Sequence, residues 1–355
     1  MELIDIARNF RFAGEPKDVT PLGQGFINDT FIVTVNGSDE RYILQRKNKN
    51  IFTDVPAMMD NIERVCEHIR YKVANPRRES MTIIRTNSGE LYCIDDAGEY
   101  WAACLLIEPT VAYDSANSPE IAYQGGKGIG LFQKMLCDFD GELADILPGF
   151  HNMRFRFDQW DTAIREDKAG RVSALSEEIT WIESRRDEML AFYALIEDGS
   201  IPKRVSHNDT KINNILFDEQ GEVVCVIDLD TVLSSTVLND FGDAIRTYAN
   251  SGAEDDENLD NVSLSLEMFK GYTQGYLSQT NSFLNDCEKA HLAFSARFII
   301  FEQVLRFLMD YINGDTYYKI ASEHHNLIRT RAQYKLLLSA EEQYDEMLKI
   351  INDIL

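Results

Sequence analysis

Clustered positive charge is scarce in this sequence: 35 lysines and arginines stand against 59 aspartates and glutamates, a formal net charge of -24. Binding a nucleic-acid backbone needs grouped Lys and Arg, so a broad nucleic-acid footprint is excluded. Long apolar runs are missing too. No charge-free stretch approaches the ~20 residues of a membrane span, and MELIDIARNF at the start lacks the basic region and uninterrupted apolar core of a signal peptide. The expectation is a soluble, cytoplasmic protein whose partners are small molecules and cations, with no membrane and no nucleic acid among them. The six cysteines, Cys66, Cys93, Cys104, Cys137, Cys225 and Cys287, include no C-x-x-C pair. That argues against a zinc site and against a disulfide framework, and leaves buried free thiols. Repeats and low-complexity segments are absent, and the acidic stretch AEDDENLD at 253–260 reads as a solvated loop.

What is present is an ordinary globular composition, 44% hydrophobic and 26% charged over 355 residues. That length suits two lobes, since single hydrophobic cores stop growing near roughly 250 to 300 residues. FIVTVNG followed by SDERYILQR sets two β-rich runs about an Asn-Gly turn, which is how a hairpin is written, and MTIIRT and ELYCIDD flank NSG in the same way. Between these pairs Met58, Met59, Ile62, Val65, Cys66 and Ile69 recur at helical spacing, predicting one amphipathic helix over 55–71 packed on a sheet. From about Glu120 the pattern turns to long helical stretches at 121–136, 176–196, 259–276, 287–311 and 340–355, interrupted by short β-like runs within 202–230. The fold class predicted is α+β and bilobal: a small antiparallel-sheet lobe with one helix over 1–107, and a larger, mainly helical lobe over 108–355. Pro109, which ends the apolar run WAACLLI, marks the boundary.

The most specific signal is VSHNDTKINNILFD followed by VCVIDLD. It fits H-x-D-x-x-x-x-N and then an apolar strand ending in Asp, the spacing of a kinase catalytic loop and its metal aspartate. Phosphoryl transfer needs an acceptor hydroxyl held in line and the triphosphate charge neutralised. Asp209 suits the first task, as a carboxylate that orients the hydroxyl and takes its proton. Asn214 and Asp228 offer hard oxygen ligands to Mg²⁺, and Lys211 offers charge to the γ-phosphate. Plainer readings make Asn214 a loop hydrogen-bonder and Lys211 a solvent-facing charge. His207 joins the catalytic candidates, though its simpler role is to fix the loop by hydrogen bonding. Asp230, two residues past Asp228 on a strand, would face the same side and bind metal or contact substrate, or else anchor the following turn. In DFGDAIR, Asp240 reads as a helix cap and Asp243 as structural.

In the first lobe LGQGFINDTF places Gly23 and Gly25 between strands, where backbone amides can cover phosphates, with Asn28 beside them. YILQR then arrives where kinases keep the lysine that grips the α- and β-phosphates. Here the residue is Gln45 or Arg46, and strand alternation lets only one of them face a cleft. Glu63 on the following helix is the candidate partner of that position, with a solvated surface glutamate as the alternative.

Taken together, these motifs resemble the aminoglycoside-phosphotransferase and choline-kinase superfamily, and more closely the bacterial N-acetylhexosamine 1-kinases. The likeness runs through most of the chain and rests on GQGFINDTF, RYILQRKNKNIF, NIERV, SHNDTKINNILFD, CVIDLDTV, DFGDAIRT and RFLMDYINGDTYYK. It implies a protein-kinase-like fold with a nucleotide-binding first lobe and a catalytic, substrate-binding second lobe. It also implies ATP with Mg²⁺, and transfer to the anomeric hydroxyl of N-acetylglucosamine or N-acetylgalactosamine. On this likeness Asp209 is the general base and Asn214 and Asp228 hold the metal, while Arg306 contacts the sugar and the main chain of Leu106, Ile107 and Glu108 receives the purine. The departure from the wider family is the missing cleft lysine at Gln45. Two alternatives stand beside this reading. One is a kinase for choline, homoserine or an aminoglycoside; the other is a non-catalytic nucleotide-binding pseudokinase, which would predict the loss of Asp209, Asn214 or Asp228.

Overall fold

A computed structural model describes residues 2–23 and 28–355. Up to residue 112 the elements are α1 (Leu3–Ala7), β1 (Pro16–Pro21), β2 (Asp29–Val35), β3 (Arg41–Lys47), α2 (Val55–Arg70), α3 (Pro76–Glu79), β4 (Ile83–Ile84), β5 (Cys93–Ile94) and β6 (Tyr100–Leu105). Beyond it come α4 (Pro119–Leu136), α5 (Met153–Glu166), α6 (Ser176–Glu183), α7 (Arg186–Glu197), β7 (Arg204–Ser206), β8 (Ile215–Phe217) and β9 (Val223–Val226). The chain ends with β10 (Leu233–Ser235), α8 (Val237–Tyr248), α9 (Leu266–Thr280), α10 (Asp286–Ile312), α11 (His325–Glu342) and α12 (Tyr344–Ile354). These form a mixed α+β protein with an antiparallel sheet near its start and a mainly helical remainder. No single cut separates its two compact units: Met1–Ala112, Met135–Leu147 and Asn214–Ser234 make the first, and Tyr113–Lys134, Pro148–Asn213 and Ser235–Leu355 the second.

In the first unit the sheet runs β1-β2-β3-β6-β4, with β5 also paired to β6. β2 and β3 form the expected hairpin, in register from Thr34↔Arg41 to Asp29↔Arg46, and Gly37 takes the positive φ of 78° that its turn requires. The second expected hairpin does not form. β6 gives one edge to β3, and the backbone groups of its other edge also need partners. They find them in both short strands, through Ile83↔Cys104 and Cys93↔Trp101. One face of the sheet builds a core of Ile6, Phe10, Val33, Tyr42, Leu44 and Trp101. Strand alternation therefore turns Ile43, Gln45 and Lys47 to the opposite face.

The α2 helix starts at Asp54, whose carboxylate accepts the Ala57 N–H, and it buries all six residues of the predicted stripe. Its buried Asn61 donates to the carbonyls of Ala144 (2.9 Å) and Val232 (3.2 Å) and accepts the Ala144 N–H (2.9 Å). One side chain thus ties α2 to both later segments of its unit.

In the second unit α10 is the spine. It is opened by a capping box between Asn285 and Glu288 and is buried along most of its length. α4 and α9 approach so closely that a Cβ on Gly275 would sit 1.9 Å from the Tyr123 carbonyl oxygen, so only glycine fits there. The helix expected over 176–196 breaks at 184–185 into α6 and α7, and that expected over 259–276 begins as a 3₁₀ turn before α9. The last expected helix is the end of α11 joined to α12; α5 and most of α11 were not anticipated.

Candidate active site

In the second unit, β7 leads into His207, Asn208 and Asp209, and the loop is held from beneath by α8. The Asp240 carboxylate accepts the N–H groups of Asn208 (2.7 Å) and His207 (3.0 Å) and the Gln133 amide (2.8 Å). Asp240 is therefore not the helix cap that the sequence suggested. Thr236 caps α8 by accepting the Leu238 N–H, which frees Asp240, one turn on, to serve the loop. Burial pushes the Asp240 carboxyl above its ordinary value, against the pull of His207 and the donated amides. One turn further, Asp243 accepts the Thr210 N–H at 2.9 Å and pairs with Arg246 at 3.0 Å. Burial alone would raise Asp243; Arg246, Lys211 and the Thr210 amide outweigh it and hold this carboxyl low.

On that platform His207 is fully buried, edge-on to Phe132 at 5.7 Å, and its Nδ1 accepts the Asp209 N–H at 3.3 Å. It shapes the loop from inside. Asn208 takes a left-handed φ of 65°, a conformation that asparagine tolerates better than most residues and that directs the chain into Asp209. The Asp209 carboxylate lies 3.0 Å from the Lys211 ammonium, and this proximity raises the Lys211 pKa. The structure thus gathers His207, Asp209 and Lys211 on one loop, with Lys211 about half exposed.

Asn214 and Asp228 meet on the β8–β9 hairpin of the first unit. Ile215 pairs with Val226, and just beyond this pair the Ile227 N–H donates to the Asn214 carbonyl at 2.9 Å. Asp228 follows in a left-handed conformation, φ 59° and ψ 59°. A non-glycine residue held there costs about 1–3 kcal/mol, a cost that recurs at functional sites. Two hard oxygen groups on one hairpin fit Mg²⁺, which takes one or two protein groups and fills its shell with water and phosphate. Among the described residues no group of three or more His, Cys, Asp or Glu side chains forms a metal site by itself.

Asp230 departs from the strand reasoning. Regular strand ends at Val226, and 229–231 coil into a 3₁₀ turn, so alternation does not carry Asp230 to the side of Asp228. Asp230 is instead buried, with its Oδ1 and Oδ2 at 2.7 and 2.9 Å from the Lys47 ammonium and Oδ2 accepting the Asn28 amide at 2.7 Å. Asn28 also accepts the Asn48 N–H at 3.0 Å, fixing the end of β3.

This overturns the reading of β3. Arg46 is exposed and pairs with its cross-strand neighbour Asp29. Gln45 shares a face with Lys47, donates to Thr30 at 3.3 Å and accepts the Lys47 ammonium at 2.7 Å. The one lysine of β3 is Lys47, two residues past Gln45 and in the same strand phase. Glu63 does not meet this position either; it pairs with Arg85. Gly23 has a φ of 63°, the left-handed region that favours glycine, while Gly25 lies outside the described residues.

After β6 the Leu106 N–H goes to the Arg41 carbonyl, the Ile107 carbonyl accepts the Thr110 hydroxyl and the Glu108 carbonyl accepts Arg78. The Glu108 carboxylate pairs with Arg41. Among the described residues, the Leu106 carbonyl and the Ile107 N–H take no hydrogen bond from the protein.

Arg306, on α10 of the second unit, is framed by the rings of Phe150 (5.6 Å), Tyr317 (5.8 Å) and Tyr318 (5.6 Å). It donates a long hydrogen bond to Gln303 at 3.4 Å; Glu302 acts on it electrostatically, but among the described residues no carboxylate forms an ion pair with it. Arg246 lies within electrostatic reach of both Lys211 and Arg306.

Comparison with known proteins gives the family and the fold. The profile of the phosphotransferase enzyme family matches residues 18–273. Among solved structures the chain is similar to a microcompartment-associated aminopropanol kinase (15% identity, 97% of each chain covered, TM-score 0.67). It is also similar to a spectinomycin phosphotransferase in complex with ADP and its antibiotic (12% identity, 97% of this chain and 98% of that one, TM-score 0.59). A choline kinase from Cryptosporidium parvum matches as well (15% identity, 99% and 98% covered, TM-score 0.55). The fold is the protein-kinase-like one.

Proposed function

The chain belongs to the phosphotransferase enzyme family, and on that footing we propose that it moves the γ-phosphoryl group of ATP onto the anomeric hydroxyl of an N-acetylhexosamine, giving the sugar 1-phosphate. The observation that carries the kinase part is the pinning of Asp209: two carboxylates of α8 take the amides of His207, Asn208 and Thr210 on either side of it, the arrangement that preorganises a base. Asp209 orients the acceptor hydroxyl and takes its proton. Lys211 carries positive charge to the transferring group. Asn214 and Asp228 would hold Mg²⁺, which neutralises triphosphate charge when bound. The Leu106 carbonyl and Ile107 N–H offer one acceptor and one donor to a purine edge.

The sugar part is supported by Arg306. An arginine that among the described residues forms no ion pair, set among three rings, disfavours an ammonium-bearing acceptor and suits a neutral one with a flat face and a carbonyl oxygen, such as an acetamido sugar. Asp243 and Glu254, which a cationic acceptor would seek, are already paired with Arg246. Incubating the protein with ATP, Mg²⁺ and a panel of N-acetylhexosamines, choline, homoserine and aminoglycosides, and reading products by phosphorus NMR, tests the proposal. Sugar 1-phosphate is the expected product. Turnover of an amine acceptor without reaction on hexosamines overturns the sugar assignment, and nucleotide binding with no turnover on any acceptor favours the pseudokinase.

A further inference from the structure

In protein kinases the lysine on the third strand grips the nucleotide's phosphates and is held by a glutamate from the next helix. Here the ion pair runs elsewhere. Lys47 is 4% exposed, and its three ammonium protons are met by Oδ1 and Oδ2 of Asp230 and by Oε1 of Gln45. No proton remains for a helix glutamate, and Glu63 is paired with Arg85. Asp230 in turn has both oxygens engaged, and Asn28 fastens it to the end of β3. We propose that Asp230, two residues past the metal aspartate, is the positioning carboxylate for Lys47, and that α2 supplies none. Lys47 then faces the phosphates with Asp230 behind it, and the two elements that must agree in position are β3 and the turn after β9. Gln45, a neutral acceptor, is the contact that yields to a phosphate oxygen.

This inference rests on the kinase reading, and nucleotide binding tests it separately from the acceptor. The probe is the non-hydrolysable analogue AMP-PNP with Mg²⁺, titrated calorimetrically, alongside steady-state kinetics. Losing a charge-assisted contact predicts that Lys47→Met and Asp230→Asn each weaken AMP-PNP by at least about tenfold. KM for ATP rises in both while KM for the acceptor stays put. The double variant should be no weaker than Lys47→Met by more than about twofold, because the two residues act as one unit. Glu63→Gln should bind within about twofold of wild type.

Additive losses in the double variant, or a loss in Glu63→Gln as large as that in Asp230→Asn, overturn the pairing. Should Asp230→Asn alone fail to fold with Lys47 stranded, the double variant removes both buried charges and carries the test: affinity at the Lys47→Met level supports the pairing, and a further large loss overturns it. Wild type that binds AMP-PNP but phosphorylates no hexosamine overturns only the acceptor assignment; wild type that binds no nucleotide overturns both.

Discussion

Asp240 accepts the Asn208 N–H at 2.7 Å, so a fully buried anion stands directly beneath the residue that precedes the proposed base. Replacing Asp240 by alanine leaves the Asn208 and His207 amides and the Gln133 side chain without their acceptor, at about 1–3 kcal/mol for each buried group left unpaired. The expected outcome is a clear drop in melting temperature together with a fall in kcat larger than any change in KM for ATP. Unaltered kcat in a folded Asp240→Ala protein would remove the loop-holding role.

Asp209→Asn keeps the shape of the loop and one hydrogen-bonding oxygen but cannot take a proton. General-base contributions of ~10² to 10⁴ predict at least a hundredfold loss in kcat. AMP-PNP binding by calorimetry should remain close to wild type. A near-wild-type rate would take the base assignment away from Asp209.

Glu302, on α10, accepts the His151 ring at 2.6 Å and Arg156 at 3.0 Å. Burial pushes this carboxyl up, but His151 and Arg156 outweigh burial and hold it well below the ordinary carboxylate range. Its folded pKa lies below the unfolded value of about 4.3, so its stabilisation is present above that pH and is lost as pH falls through and below it. Glu302→Gln should therefore cost roughly 3–5 kcal/mol at neutral pH, the penalty for breaking a buried pair. Its melting temperature should also fall less steeply than wild type between pH 5 and 3 (roughly one unit either side of that pKa). Parallel acid limbs in the two proteins would count against Glu302 as the group responsible.

Asn61→Leu keeps a side chain of similar size but strands the Ala144 amide and two carbonyls. A loss of about 2–4 kcal/mol in denaturant unfolding is expected, from two or more unmet buried groups. An effect under half a kilocalorie would mean that water or a shift of the backbone restores those bonds.

The candidate catalytic motif was legible because phosphoryl transfer asks for a fixed local spacing: Asp209 and Asn214 lie five residues apart, and Asp228 follows two residues after a strand that hydrophobic pattern alone identifies. The β2–β3 hairpin and the α2 stripe were legible for the same reason, being short-range patterns. Lys47 was not, since its partner lies 183 residues away and strand phase alone could not say where β3 ends. The available signal was that Lys47 is two residues past Gln45 and so on its face. Asp230 was misplaced because a strand rule was carried past Val226 into a turn. Asp240 was misassigned because Thr236, an equally good cap, lies four residues earlier.

Three hydrogen bonds from one asparagine rivet α2 to the segment at Ala144 and to the turn that carries Asp228 and Asp230. Protein kinases are throttled by swinging the corresponding helix in and out. Here an outward swing would tear all three bonds, and on the proposed pairing it would leave Lys47 with its carboxylate Asp230. On that pairing the position of α2 alone is no switch for the lysine.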